Sequence, residues 1–444
     1  MAREMKDSGI EWIGEIPCEW DIKRLKNLAV VIRGGSPRPI EDYLSTDDTG
    51  YNWIRIGDSK KGSKYIDSTA RKIIPDGIYK TRLVKKGSLI LSNSMSFGQP
   101  YILKIDGCIH DGWVALSDII IHKEFMYYFL ISESARSQFQ YQVAGGVVQN
   151  LNIDKIGSTF LPIPDYKIQQ SIADFLDAQC AHIDSVIEKT RSAVEEYKKL
   201  KQAVITQAVT KGIRPNRQMK DSGIEWIGEV PSAFVCRKLK SLALLISKGA
   251  TPKDISIELD NRHIVRFLKS ENIVDNHLKE KPEFRITTDI HEGELKRSVL
   301  SENDILFVIA GASIGKTAVM EIGLLPANTN QAVSFIRIES KYCFAKKYIW
   351  YFLQSEVVKR FIFLFAVQSA QPNLSMENLG SIRMPFPKSK EEVLEIITYL
   401  DEKTAAIDSL IQKKEQLITE LEAYKKSLIY EYVTGKKEVP VHAH

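Results

Sequence analysis

The chain has 444 residues, of which 44% are hydrophobic and 26% charged, with a net charge of +5. That is too long for a single core and suits two or three globular domains. A membrane helix needs a run of about 18 apolar residues, and none is present. The N-terminus lacks the apolar core of a signal peptide, so a soluble, cytoplasmic protein is expected. Five single, scattered cysteines argue for a reducing compartment, with neither a disulfide framework nor a zinc knuckle. The mild positive charge permits nucleic-acid binding without demonstrating it.

In chain order, the first informative stretch is Met5–Pro17, which recurs at Met219–Pro231 with one change, Ile16 to Val230. The chain is therefore a tandem duplication, with a period far too long for a solenoid. Trp12 and Trp226 are expected as core anchors of this tract. The body that follows, from Trp20 to Pro162, carries short β-rich runs at Leu28–Ile32, Asn52–Ile56, Ser88–Ser92 and Trp113–Leu116. Turn residues separate them, and a helix is predicted over 123–143. The second body, from Phe234 to Pro385, repeats this outline, with strands at Leu242–Ile246 and Asp304–Ile309 and a helix over 342–365. Each body closes on a proline pair, Pro162/Pro164 and Pro385/Pro387. These read as stop signals before a long helix.

Those helices run from Ile168 to Gly212 and from about Ser389 to Gly435. They align without a gap at an offset of 224 residues, sharing Leu-Asp at 176–177 and 400–401 and Ile-Asp-Ser at 183–185 and 407–409. Apolar residues fall at alternating steps of four and three, with Gln179 and Thr190 as polar interruptions: Ile172, Leu176, Ile183, Val186, Ala193, Tyr197, Leu200 and Val204 in the first helix. The second has Ile396, Leu400, Ile407, Leu410, Leu417, Leu421, Tyr424 and Leu428. Such a heptad seam predicts that each helix packs on the other. Ser389-Lys-Glu-Glu392 reads as a capping box, and Gly212 and Gly435 as C-terminal caps.

Chemical motifs are sparse. Ala310–Thr317 resembles a phosphate-binding loop, but no helix follows that would hold phosphate. Its counterpart, Asn93–Pro100, has Gln99 where the lysine should be. A strand–turn–strand hairpin with a polar tip fits both copies better. His110-Asp111 has no equivalent pair in body two, so a structural role is expected. No catalytic or metal-ligating constellation is apparent.

The repeated tract, Leu28–Pro37 with Leu242–Pro252, Ser313–Lys316, Gln371–Leu374 and the paired long helices together resemble the specificity subunit of type I restriction-modification systems. The likeness implies an α+β fold with two similar target-recognition domains (1–164 and 214–387), each followed by a long helix (165–213 and 388–436), and a tail at 437–444. The helices would form an antiparallel coiled coil that spaces two DNA half-sites. It implies double-stranded DNA, two methyltransferase subunits and restriction/translocase subunits as partners. The chain itself would be non-catalytic, with S-adenosylmethionine and ATP/Mg carried by those partners. Contacts to bases and phosphates are then expected from Arg33, Ser36, Arg38, Lys60, Lys61, Lys64, Ser92, Asn93, Ser96, Gln99 and Gln149. Body two would supply Lys248, Thr251, Lys253, Lys269, Ser313, Lys316, Asn330, Gln331, Gln368 and Gln371. The competing readings are a nucleotide hydrolase using Gly311–Thr317 and a coiled-coil scaffold without a DNA role.

Overall fold

The structure is a computed structural model that describes residues 3–46, 49–60, 62–93, 98–143, 151–257, 262–366 and 373–440. It divides into two compact units, Met1–Thr190 with Gln416–His444, and Arg191–Glu415. The boundary falls inside both long helices, so each unit owns one part of each.

In the first unit, strands Met5–Asp7 and Glu15–Pro17 pair antiparallel. The turn between them is held by the Asp7 carboxylate, which accepts from Gly9 N–H, and by the Ser8 hydroxyl, which accepts from Ile10 N–H. A five-stranded sheet follows, in the order Val30–Arg33, Trp113–Ser117, Leu89–Ser92, Pro100–Leu103, Tyr65–Ile66. A second, four-stranded sheet has the order Lys72–Ile73, Tyr51–Ile54, Gly107–Ile109, Arg82–Val84. Side chains alternate across a strand, so one sheet feeds two cores. Leu89, Leu91, Val114 and Leu116 pack with Phe125, Phe129 and Phe139 of the helices Lys123–Ile131 and Glu133–Val143. Ile90, Tyr101, Leu103, Trp113 and Ala115 face the other way, onto Ile54, Ile66 and Ile109.

The second unit repeats this plan. Its tract makes the same turn, with Asp221 accepting from Gly223 N–H and Ser222 from Ile224 N–H. Its main sheet runs Ala243–Lys248, Val333–Ile338, Ile305–Val308, Thr317–Val319, and its smaller sheet Arg285–Ile286, Val265–Leu268, Ala327–Thr329. Helices Lys346–Leu353 and Glu356–Ala366 cover the main sheet through Tyr348, Phe352, Val358 and Phe361.

Several expectations change. Each predicted single helix is two. Ser132 ends the first by donating its hydroxyl to the Phe129 carbonyl at 2.6 Å, and Ser355 stands at the equivalent break. The proline pairs do more than stop a helix. Phe160–Ile163 pairs with Asp21–Arg24, and Arg383–Pro387 with Phe234–Lys238, so each body's end is tied to its beginning. Two-stranded ribbons tolerate proline because one edge needs no N–H. Trp12 and Trp226 are only half-buried. Trp12 lies 5.0 Å from the ring of exposed Tyr141, and Trp226 lies 6.1 Å and 6.3 Å from Phe361 and Phe365. The buried anchors of the first tract are Ile13 and Ile16.

The long helices span Tyr166–Lys211 and Lys390–Val433 and end, as expected, at Gly212 and Gly435 with φ of +71° and +72°. They pack antiparallel. In the first unit Lys425 donates to both Asp184 oxygens at 2.6 Å, and in the second Lys201 donates to Asp408 at 2.6–2.7 Å. The offset of 224 converts one pair into the other. Half of the capping box forms. Ser389 accepts from Glu392 N–H at 3.3 Å, while the Glu392 carboxylate binds Arg217.

The seam keeps Ile172, Leu176, Ile183, Ile396, Leu400, Ile407 and Leu428, all buried. Beyond Ile183 it keeps Thr190 but otherwise shifts by one residue, onto buried Ile187 and Val194. Val186 and Tyr197 are left half-buried, as is Leu421, while Leu200, Leu410, Leu417 and Tyr424 are 48%, 41%, 36% and 52% exposed. The apolar stripe is wider than one seam, and a 4-3 pattern can be threaded through it in two registers.

The shared Leu-Asp pairs acquire a reason. Leu176 and Leu400 are buried. Asp177 accepts from the Tyr128 hydroxyl and from Lys64, and Asp401 from Tyr351 at 2.7 Å and Lys347 at 2.6 Å. One carboxylate on each helix thus anchors the body's covering helix. Burial and the adjoining carboxylate hold the Tyr128 and Tyr351 hydroxyls protonated, well above the usual phenol range.

Candidate nucleic-acid interface

The expected polar positions gather where the strands of the two sheets end. In the first unit Tyr51–Ile54 and Gly107–Ile109 run parallel, so Arg55 and His110 leave the sheet side by side. His110 N–H donates to the Ile54 carbonyl at 3.0 Å. The loop after Val30–Arg33 folds over them. Gly34 has no room for a side chain, because an added Cβ would lie 2.2 Å from the His110 carbonyl oxygen. Ser36 then donates to Asp111 at 2.9 Å, Arg38 stands 3.8 Å from the other Asp111 oxygen, and Asn93 and Arg33 donate to the Asp111 carbonyl at 2.9 and 3.4 Å. The result is an open cleft of about 260 Å³ lined by Ser36, Arg38, Trp53, Arg55, Arg71, His110 and Asp111.

The second unit builds the same arrangement from different side chains. Val265–Leu268 and Ala327–Thr329 run parallel, and Asn330 N–H donates to the Leu268 carbonyl at 3.2 Å. A Cβ on Gly249 would lie 1.6 Å from the Thr329 oxygen, matching Gly34. Thr251 hydrogen-bonds Gln331 as Ser36 does Asp111. Lys269 N–H is capped by Asn272, as Arg55 N–H is by Asp58, at 3.0 and 2.8 Å. These contacts equate Arg33 with Lys248, Arg38 with Lys253, Arg55 with Lys269, His110 with Asn330 and Asp111 with Gln331.

Electrostatically the first cleft is cationic. Arg38 is 85% exposed and Arg55 is 34% exposed. His110 is held below its ordinary pKa by burial, with Arg38 and Arg55 opposing its charge more weakly, although Asp111 pulls the other way. It is therefore a neutral group that accepts Gly112 N–H on Nδ1 at 2.9 Å. Asp111 is the pin of this loop cluster rather than half of a catalytic pair.

The resembled phosphate-binding loop is a hairpin. Ile305–Val308 and Thr317–Val319 pair antiparallel, and only a three-residue 3-10 turn, Ile322–Leu324, follows before the next strand. The first unit repeats it with Leu89–Ser92 and Pro100–Leu103, and Gly98 and Gly315 both take positive φ at the tip. Gly98 N–H bonds the Ser92 carbonyl at 2.8 Å and Gly315 that of Val308 at 2.9 Å.

Of the sequence-predicted positions, Arg33, Arg38, Lys60, Lys248, Thr251, Lys253, Lys316 and Gln331 are exposed, and Ser36, Lys269, Ser313 and Asn330 are half-buried. Lys269 lies over Phe284, 3.6 Å from its ring centre. Four positions depart from expectation. Ser92 and Asn93 are buried and brace the loop from within, Ser92 accepting from Gln99 N–H at 3.2 Å and Asn93 donating to the Asp111 carbonyl at 2.9 Å. Lys64 is drawn onto Asp177 and the rings of Tyr127 and Tyr128, which ties it to the long helix. Gln99 accepts from Arg136 at 3.3 Å. Lys61, Ser96, Gln149, Gln368 and Gln371 lie outside the described residues. Sequence reasoning missed Arg55 and Arg71 and passed over His110 and Asp111 as a binding position. The usable signal was that Arg55 and Lys269 each follow a β-rich run and precede Asp58 or Asn272 by three residues.

Among the described residues no group of His, Cys, Asp and Glu is placed to hold a metal, and no helix is long and apolar enough to cross a membrane.

The family model of the type I restriction modification DNA specificity domain matches twice, at residues 17–196 and 231–420. The chain is 23% identical to the MjaVIII specificity subunit of Methanocaldococcus jannaschii, over 96% of this chain and 94% of that one. It is also 23% identical to the EcoBI specificity subunit of Escherichia coli, over 98% and 90%. In fold it is similar to a chain from a structure of the assembly and conformational transition of the type I R-M system. That match has a TM-score of 0.72 at 14% identity, covering 95% of this chain and 99% of the other. The HsdS subunit of Thermoanaerobacter tengcongensis aligns at a TM-score of 0.50 and 15% identity, covering 95% and 98%. Matched twice by that family model, and with relatives along nearly its whole length, the chain belongs to the type I restriction-modification DNA specificity family and is a specificity subunit, not a catalytic one.

Proposed function

We propose that this chain reads a bipartite, asymmetric sequence in double-stranded DNA, one half-site per unit, with the long helices setting the unread spacer. The carrying observation is the repeated strand-end frame, parallel strands under a glycine-tipped loop built twice, presenting Ser36, Arg38, Arg55, His110 and Asp111 in one unit and Thr251, Lys253, Lys269, Asn330 and Gln331 in the other. Identical frames with different donors and acceptors suit two different half-sites, because base edges are told apart by their hydrogen-bond patterns.

On the same reading the chain recruits two methyltransferase subunits and restriction/translocase subunits, which bring S-adenosylmethionine and ATP/Mg. Two copies of one partner need two equivalent surfaces. The near-identical tracts meet that need, each with a half-buried tryptophan beside exposed aromatics, Tyr141 in one unit and Phe365 in the other. On the second long helix, Leu410, Leu417 and Tyr424 stand exposed seven residues apart. Such a stripe suits a partner helix.

The test is to co-express the chain with its methyltransferase subunit and map N6-methyladenine genome-wide by single-molecule sequencing. A methylated motif of two short halves with a fixed gap is expected. An intact complex that methylates no such motif would overturn the reading.

A further inference from the structure

Two residues leave the paired parallel strands side by side in each unit, Arg55 with His110 and Lys269 with Asn330. The residue after each second partner, Asp111 or Gln331, is pinned by the overhanging loop. The backbone bonds of His110 and Asn330 fix the frame, the pins orient the side chains that follow, and the residues so presented differ between the units. Its chemistry differs between units. In the first, the guanidiniums of Arg38 and Arg55 flank one cleft, and the Asp111 carboxylate lies 3.8 Å from Arg38 and 2.9 Å from Ser36. Arg55 is splinted by Asp58 at 3.6 Å, and its Nε is buried without a hydrogen-bond partner among the described residues. An oriented guanidinium matches the two acceptors, O6 and N7, on the major-groove edge of guanine. In the second unit Lys253 and Lys269 stand where Arg38 and Arg55 do, and the positions of His110 and Asp111 carry two carboxamides, Asn330 and Gln331. Asn330 is held by its Oδ1 accepting from Ala332 N–H at 3.2 Å, and Gln331 by Thr251. A carboxamide offers one donor and one acceptor, the pattern that adenine complements through N7 and N6.

We propose that these positions determine specificity, with Arg55 and Arg38 reading a guanine in the half-site of the first unit and Gln331 with Asn330 reading an adenine in that of the second. The inference rests on the reading that each unit recognises one half-site. It adds which side chains do so and which base each selects.

The test uses the whole chain in complex with its methyltransferase subunit, comparing the methylated motifs of wild type, Arg55→Ala, Arg55→Lys and Gln331→Ala. The wild-type motif is expected to hold a G·C pair in one half. Arg55→Ala should relax that pair by about 5- to 150-fold while the other half-site and the gap stay unchanged. Arg55→Lys keeps the charge and loses the fork, so it should still relax the same pair; if Arg55→Ala instead lowered methylation uniformly across sequences with the G·C pair unchanged, Arg55 would be a phosphate contact and the proposal would be overturned. Gln331→Ala should relax an A·T pair in the other half alone. A half-site without a fixed G·C pair, or unchanged motifs in all variants, would also overturn it. The unaffected half-site, read in the same sample, reports that each variant has folded and assembled. A wild-type complex with no split motif would instead sink the underlying reading of one half-site per unit.

Discussion

Gly34 and Gly249 hold the overhanging loop against the strand end in their respective units, and neither has a positive φ to explain it. The reason is contact, since a Cβ would sit 2.2 or 1.6 Å from a carbonyl oxygen that is part of the backbone and cannot swing away. Gly249→Ala is therefore expected to cost about 1–3 kcal/mol, as overpacking generally does, read as a lowered urea midpoint at constant m. His110 makes a prediction in pH. Its folded pKa lies below the ordinary 6.5, so between that depressed value and 6.5 the unfolded chain binds more protons. Stability is full above pH 6.5 and falls as pH drops through the window. His110→Asn, which copies the second unit's residue, should flatten the acid limb of a thermal-melt profile. A limb of unchanged slope would show that other groups set it. These two positions also mark how much of the site was legible. Arg38 and Lys253 were readable because each sits beside a Ser-Pro or Thr-Pro turn. Arg55, Arg71 and the role of Asp111 were not, because the cleft joins loops some 20 to 75 residues apart in the chain.

At the scale of elements, the seam decides which apolar residues stabilise the long helices. Ile187 is 6% exposed and belongs to the core of its unit, whereas Leu410 is 41% exposed. Ile187→Ala is expected to cost about 2–5 kcal/mol. Leu410→Ala should change stability by less than about 0.5 kcal/mol while weakening co-purification of the partner subunit. Equal losses of stability from the two would contradict the assigned seam. The ion pairs Asp184–Lys425 and Lys201–Asp408 rank lower. Their carboxylates are 51% and 45% exposed, so each pair contributes about 0.2–1 kcal/mol. Their repetition identifies the antiparallel register; the leucines and isoleucines supply the energy.

For the whole molecule, the proposed ruler makes one geometric prediction. Deleting one heptad from each long helix at matched positions shortens each by about 10 Å, close to three base pairs at ~3.4 Å each. The methylated motif should keep both half-sites and change only its gap; altered half-sites would refute the ruler. The duplication, several of the strands, the two long helices with their glycine caps, and the hairpin in place of a phosphate loop were all determined by the sequence. Each depends on local periodicity, on turn chemistry, or on comparing one repeat with the other. The tertiary structure alone decided the register of the seam, the inward turn of Ser92 and Asn93, the capture of Lys64 by Asp177, and the meeting of Arg38, Arg55 and Asp111. A stripe wider than one seam admits two registers until both helices are packed. A polar side chain on a loop has no assigned direction until the strands that carry it have been paired.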